Sequence, residues 1–578
     1  MRLPGAILSG VAVAVASALP LARFGHGLNG GHGSVAWVAL ILGIIAAFFA
    51  WRIIPEVKEF RPISIWEWMM IAIFACASAR AFFWLIYTDG DELKVLSPNN
   101  LGDLSLHLAF IHWLAATRHW WPASPILVGD PLRYPPGSDL FNSLLLVAGV
   151  PVIQGLLWCG LAGAALTGIA LWRWGRGIAL AALLFNGGFA GYALLQGKDP
   201  DAVSEWKNLF LTLFVTQRGF LFALPAGLLL LSAWREENFE TRDHGKARTI
   251  LPLPVQALLL GVMPLFSVHT ALFLGVTMVV VALFHPQGRS RFIRLASFAW
   301  PPMAFFGWLV TSGAGGHSAV HALGWQPGWM SDGAAGFWFW NFGISLPLAG
   351  MLCLVLLPWE KLLNPRSSVV RFVNEIFPKA NSPEARAFVW PAALIFASCL
   401  LIRFAPWPWD NTKLMLWSWV VIIPYLWSIL MQNRSVESRV IVFLLLFGSG
   451  AATLEAGLDG RHGYEIIKRS TLDATASMLR HVPREAVIAC APEYNQAVLM
   501  LGHPVVCGYE GNLWSHGLDY KDRLAALNSI MMGDPGWRQR AHAIHASWML
   551  WSEPEAARWP ASRLPWAHET APSLHRLY

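Results

Sequence analysis

A mainly helical, polytopic membrane protein with a small α/β region at its C-terminal end is the fold class that three observations predict. Of 578 residues, 55% are hydrophobic and only 13% charged, where soluble chains run at about 25% charged. Apolar runs long enough to cross a bilayer as helices recur from the N-terminus to about Ala456. The loops between them alternate in Lys and Arg content, which is the property that sets orientation in a membrane. These observations divide the chain into a transmembrane domain over 1–456, with a large polar loop at 88–142, and a soluble α/β domain over 457–578.

In order, the runs fall at residues 7–21, 35–51 and 64–87, then after the large loop at 153–171, 177–196, 219–234, 251–266, 270–284, 295–311, 341–357, 389–404, 414–431 and 440–456. That gives about thirteen spans, with 251–266 and 270–284 readable either as two short spans or as one bent hairpin. The first run reads as an uncleaved span, with a signal peptide cleaved near Ala22 as the alternative. Basic loops at 52–61, 173–176, 235–248, 289–294, 361–386 and 434–439 take the cytoplasmic side. The loops at 88–142, 198–207, 312–340 and 406–413 are poorer in cations and take the other; 312–340 has neither Lys nor Arg. One assignment satisfies every loop, with the N-terminus inside and the C-terminal region outside the cytoplasmic (inner) membrane. The 32 Trp residues gather near run ends, as at Trp120-Trp121 and Trp407–Trp409, where an amphipathic ring suits the headgroup layer.

The formal charge of +7 does not point to nucleic acid, because the cations are dispersed over short loops and form no stripe. No Cys/His pattern has zinc spacing. After Ala456, helical segments at 470–481, 495–501 and 520–532 interleave with β-type runs at 486–490, 504–507 and 548–551, the alternation of a small parallel α/β unit. Cys490 and Cys507 would then end adjacent strands, either as a disulfide or as two buried thiols.

The polar residues that carry chemistry concentrate in the first large loop. Asp103 stands at the head of a helical stretch, and His107, four residues on, shares its face. Asp103 fits a general base and also a plain helix cap; His107 fits a catalytic partner and also a packing histidine. Asp130, Arg133, Tyr134 and Asp139 follow, suited to positioning a substrate. Arg218, directly before an apolar run, either faces a ligand anion or snorkels to the headgroups. His269 interrupts apolar sequence, and Lys413 is a further cation close enough to Asp410 to pair with it. Asp89-Gly90-Asp91 spells a DxD, so a divalent metal stays open, with an acidic solvated turn as the alternative. Ser515, His516 and Asp519 lie close in sequence, but a hydrolase triad is a matter of geometry.

The loop's order of Asp103 with His107 and Ala109, then Trp120-Trp121-Pro122, then Asp130-Pro131-Leu132, then Tyr134-Pro135-Pro136 before the next span resembles the polytopic type C glycosyltransferase (GT-C) superfamily. Two features differ: Leu104 follows Asp103 where an acidic neighbour is common, and two runs precede the usual first span. The resemblance implies a membrane glycosyltransferase that moves a sugar from a polyprenyl-phosphate donor to an extracytoplasmic glycan, lipid or protein. Asp103 would be its base, with Arg218, His269 and Lys413 near the lipid phosphate. The competing functions are a lipid or polysaccharide transporter or flippase, which needs polar groups at mid-membrane and paired broken helices, and a non-catalytic membrane assembly component.

Overall fold

The computed structural model describes the chain except residues 31–32, 57–61, 201–203, 240–249, 286–287, 312, 314–320, 327–332, 365, 461–462 and 570. Most of the basic loop at 235–248 and much of the cation-free loop at 312–340 lie outside the described residues. The protein is mainly helical, with small sheets on and near the C-terminal region.

Seven described helices are long and apolar enough to cross a membrane, and a pair bent by 84°, Gly336–Phe342 with Ser345–Val355, makes an eighth if counted as one span. The thirteen sequence runs fall largely on helix, but several fail the length or polarity requirement for identifiable reasons. Helix α6 (Val152–Leu184) merges two runs across a turn at Gly175 and Arg176, where the backbone leaves helical geometry. Helix α7 (Phe220–Phe239) ends in Arg235, Glu236 and Glu237. Helix α8 (Leu253–Phe266) is broken at Val262, and α9 (Val268–Phe284) has 17 residues. Helix α10 (Arg289–Val310) opens with Arg289, Arg291 and Arg294 and contains Pro301 and Pro302.

Helices α1 (Arg2–Phe24) and α2 (Ser34–Ile53) form a hairpin ahead of the rest. Their backbones close on each other at Gly10 and Gly43: a Cβ on Gly10 would meet the Gly43 carbonyl oxygen at 2.9 Å, and one on Gly43 would meet that of Gly10 at 2.7 Å. Small residues at such a crossing let helix backbones approach where lipid tails supply no hydrophobic drive. Helix α3 (Ile65–Phe83) begins with a Ser64–Glu67 capping box. The helix within Pro408–Met431 is the hub, 83% buried against 28% for α2. Two of its tryptophans are anchored: Trp417 Nε1 donates to Thr270 Oγ1 at 2.9 Å and Trp419 Nε1 to the Ala182 carbonyl at 2.7 Å.

The basic loops meet at one end of the bundle. Arg2 donates to the Trp51 carbonyl. Arg176 pairs with Glu67 at 2.6 Å and donates to the Pro62 carbonyl. Arg173 pairs with Glu236, Arg291 with Glu237 at 3.4 Å, and Arg235 lies 4.0 Å from Glu384. Lys379 Nζ donates to Gln432. Helix α1 runs from that end to the large loop, where Arg23 donates to the Trp120 carbonyl at 2.7 Å. At 1.5 Å per residue its length is roughly 34 Å, a bilayer's thickness.

The large loop and the C-terminal region are built into one another. The loop's hairpin β1 (Tyr87–Asp89) and β2 (Glu92–Val95) continues antiparallel into β3 (Tyr464–Lys468). Further on, β4 (Val487–Ala489) pairs parallel with β5 (Ala546–Trp551), which pairs antiparallel with β6 (Ser573–Arg576). On the other side of β4, Ile488 bridges Val505 in parallel, and Leu127 of the loop bridges Cys507 in antiparallel. Residues 125–128 thus complete this sheet, through Val505 N–H to the Pro125 carbonyl, Gly508 N–H to Ile126 and Val128 N–H to Val506. The parallel α/β pattern is present. Cys490 and Cys507 are buried free thiols, not a disulfide.

Candidate active site

Helix α4 (Leu101–Ala116) presents Asp103 from its first turn. Gly102, just before it, lies under Tyr494 so closely that a Cβ would sit 2.3 Å from the phenol oxygen, which seats the helix end against the C-terminal region. Ser105 Oγ donates to Asn495 Oδ1 at 2.7 Å on the same surface. Asp103 faces a cavity of about 430 Å³ lined also by His107, Arg133, Tyr134, His269, Asp410 and Lys413. Seven of the ten residues singled out in the sequence therefore meet around one space. They come from α4, the end of the loop, the start of α9 and the turn at Pro408–Asn411 that leads into the hub helix.

Asp103 Oδ2 accepts a hydrogen bond from Gln217 Nε2 at 3.1 Å. Burial pushes its carboxyl above the ordinary value; the nearby His107, Lys413 and His516 oppose that push, and Asp410 adds to it. A carboxylate whose proton affinity has been raised, with one neutral donor holding it, has the character of a general base. His107 is buried, and its Nδ1 lies 2.9 and 3.0 Å from the two oxygens of buried Asp139. Asp139 is not a lining residue; it fixes the ring and tautomer of His107. Tyr134 stacks on Phe110 with centroids 4.8 Å apart and stands edge-on to His107. Burial, and then the charges of Asp139 and Asp103, push its phenol well above its usual range, so it stays a neutral donor.

Three cations line the space: Lys413 Nζ lies 3.0 Å from Asp410, Arg133 lies 3.2 Å from Asp130, itself outside the cavity, and Lys207 lines it along with Glu205. Trp407 and Trp409, with centroids 5.2 Å apart, form an aromatic wall. Arg218 is the residue whose expected position the structure changes. Although Gln217 and Gly219 line the cavity, the Arg218 side chain turns into a separate space on the other side of Phe266.

Sequence reasoning missed Gln217, and it named Trp407, Trp409, Ser515 and His516 without placing them at this cavity, which Ser515 and His516 roof from the C-terminal region. His516 packs 5.6 Å from the Tyr134 ring, and burial lowers its proton affinity. Ser515 donates to the Asn512 carbonyl, and Asp519 is not among the lining residues, so no triad forms there. Among the described residues no three His, Cys, Asp or Glu side chains converge as metal ligands. The carboxylates of the DxD are engaged locally: Asp89 with Lys94 at 2.8 Å, and Asp91 with the Ser470 amide at 2.9 Å.

No protein-family model and no curated protein matches the chain. Among solved structures, the archaeal oligosaccharyltransferase AglB from Archaeoglobus fulgidus, in complex with an inhibitory peptide and a dolichol-phosphate, is similar over 89% of this chain and 74% of its own. The sequence identity is 12% and the TM-score 0.35. At that identity and score the likeness assigns no chemistry to this chain.

Proposed function

We propose that the protein is an inverting membrane glycosyltransferase that moves a sugar from a polyprenyl-phosphate donor to an acceptor hydroxyl or amide outside the cytoplasmic membrane. In this reading the chain crosses the membrane about thirteen times, with the basic end cytoplasmic and the large loop and C-terminal region outside. The observation that carries it is the single cavity on which Asp103, His107, Lys413 and an aromatic wall converge, at the end of the bundle opposite the basic loops.

Asp103 takes the acceptor's proton as the acceptor atom attacks the anomeric carbon. The bond from that carbon to the phosphate oxygen breaks, and its electron pair leaves on the phosphate. Lys413 and Arg133 meet the charge that develops there, where fixed charges in a partly dry site act most strongly. Both cations are already held by carboxylates, so neither must be ordered at the moment of reaction. Trp407 and Trp409 offer flat apolar faces to a sugar ring. The Asp139–His107 pair keeps one side of the cavity in fixed geometry.

The test is reconstitution in proteoliposomes with a panel of polyprenyl-phosphate sugars, measuring glycosylated product and released polyprenyl phosphate together. Stoichiometric appearance of both supports the transferase. Substrate flux with no glycosyl product replaces it with a flippase, and neither activity across the panel leaves the assembly role in its place.

A further inference from the structure

The side chain that the catalytic reading leaves over is Arg218. It is 2% exposed, and its Nε, Nη1 and Nη2 all lack a hydrogen-bond partner among the described residues. No described carboxylate reaches it within ion-pair distance: Asp139, the nearest in charge terms, spends both oxygens on His107. The Phe82 ring lies with its centroid 5.9 Å from the guanidinium carbon, the outer limit of such contacts. A buried guanidinium with five donors and no acceptor is a costly arrangement unless an anion completes it.

The space it enters supplies the rest of the argument. A cavity of about 280 Å³ lies between α1, α5 (Gly137–Val147), α6 and α7, with Arg218 at its back among Leu8 and Leu156, each 1% exposed. Its rim is Ile7, 38% exposed, and Trp158, 60% exposed, on the flank of the helical bundle. Phe266, stacked on Phe222 at 3.8 Å, separates it from the catalytic cavity. The opening is therefore sideways, toward the bilayer, through mostly apolar walls, to one cation with Ser138 and Asn142 also lining the space.

We infer that Arg218 and this lateral cavity form a binding site for the phosphate head of a membrane lipid, separate from the catalytic cavity, with the lipid's tail leaving past Ile7 and Trp158. The planar fork of arginine matches phosphate oxygens in pairs. The helix α1 that walls the cavity belongs to the N-terminal hairpin, so this hairpin completes the site. The inference stands independently of the transferase reading.

The experiment is binding to the full-length protein in detergent, by native mass spectrometry and thermal melting. The probes are phosphatidylglycerol, polyprenyl phosphate and inorganic phosphate, added to wild type, Arg218→Gln, Ala162→Trp and Lys413→Met. Ala162 is an exposed lining residue, so the tryptophan fills the cavity's mouth and leaves Arg218 in place. A lipid phosphate should bind wild type and lose at least tenfold in affinity in Arg218→Gln and Ala162→Trp; a loss seen in Lys413→Met and in neither cavity variant would put the binding in the catalytic cavity and overturn the inference. Preference for phosphatidylglycerol assigns the site to a bilayer phospholipid, and preference for polyprenyl phosphate to an isoprenoid; both support it. Equal affinity in wild type and the two cavity variants overturns it, as does inorganic phosphate binding as tightly as either lipid. If Arg218→Gln does not fold, Ala162→Trp decides.

Discussion

Asp103→Asn is the perturbation that bears most directly on the catalytic reading. Asparagine keeps the size of the side chain and an oxygen that can still accept from Gln217 Nε2, so the cavity should retain its shape while losing the base. A positioned general base contributes about 10²- to 10⁴-fold, which at 1.36 kcal/mol per decade is roughly 3–5 kcal/mol of transition-state stabilisation. The expected result is a fall in kcat of that size, with donor affinity within about twofold of wild type because the cations are untouched. Stability should move the other way. The folded state holds Asp103's proton more tightly than the unfolded chain does, so its ionisation costs stability as pH rises from the ordinary carboxylate range through its raised value. Asparagine removes that cost, and the variant should melt at or above wild type at neutral pH. The assay is transfer in proteoliposomes at saturating donor, paired with a melting curve of the same preparation. Turnover within tenfold of wild type in a folded, donor-binding variant would refute the base assignment.

Three other outcomes follow from the same geometry. The acidic limb of the pH–rate profile should lie above the ordinary carboxylate range, and Lys413→Met should shift it to higher pH by removing a cation that holds Asp103's proton affinity down; Asp410→Asn should shift it lower, and unmoved limbs would break the link. Gly10→Leu should destabilise the N-terminal hairpin by about 1–3 kcal/mol through overpacking against Gly43, read as a lowered melting temperature that the same substitution at Gly275, which has open space around it, does not reproduce. Alkylation of the denatured, unreduced protein should label both Cys490 and Cys507, and reductant should leave its melting curve unchanged.

The helices and the catalytic candidate were legible because each leaves a local signal. A carboxylate at a helix start in a polar loop is visible from a few residues, and so is a basic loop between two apolar runs. What stayed hidden depends on pairings between distant segments. Nothing near His516 indicates that it will roof Asp103's cavity, because its place is set by Gly102 under Tyr494 and by Ser105 against Asn495, 390 residues away in the chain. Arg218 was visible as a cation before an apolar run, but the side of Phe266 to which it turns is a matter of rotamer and packing. Cys490 and Cys507 do flank neighbouring strands, as their spacing implied, but adjacency in a sheet does not by itself bring sulfurs into bonding geometry. The span count was blurred where a backbone break at Val262 falls inside apolar sequence, and where two runs continue as one kinked helix through the basic turn at Gly175 and Arg176.

The sheet that residues 125–128 share with the C-terminal region has a consequence for biosynthesis. The ribosome delivers the large loop early, and the strand partners at 505–508 that close its edge only after the helix Val436–Asp459. Until those partners arrive, residues 125–128 present unpaired backbone donors and acceptors to their surroundings, the exposed edge that invites wrong pairing. Closure over so long a separation is also slow. Ser515 and His516, made after the helix Val436–Asp459, line the cavity, so a chain stalled or clipped after that helix would keep Asp103 and lose the enclosure around it. Formation of the enclosed cavity is thereby tied to synthesis of the residues after that helix, and a chain that stops short of them carries an open one.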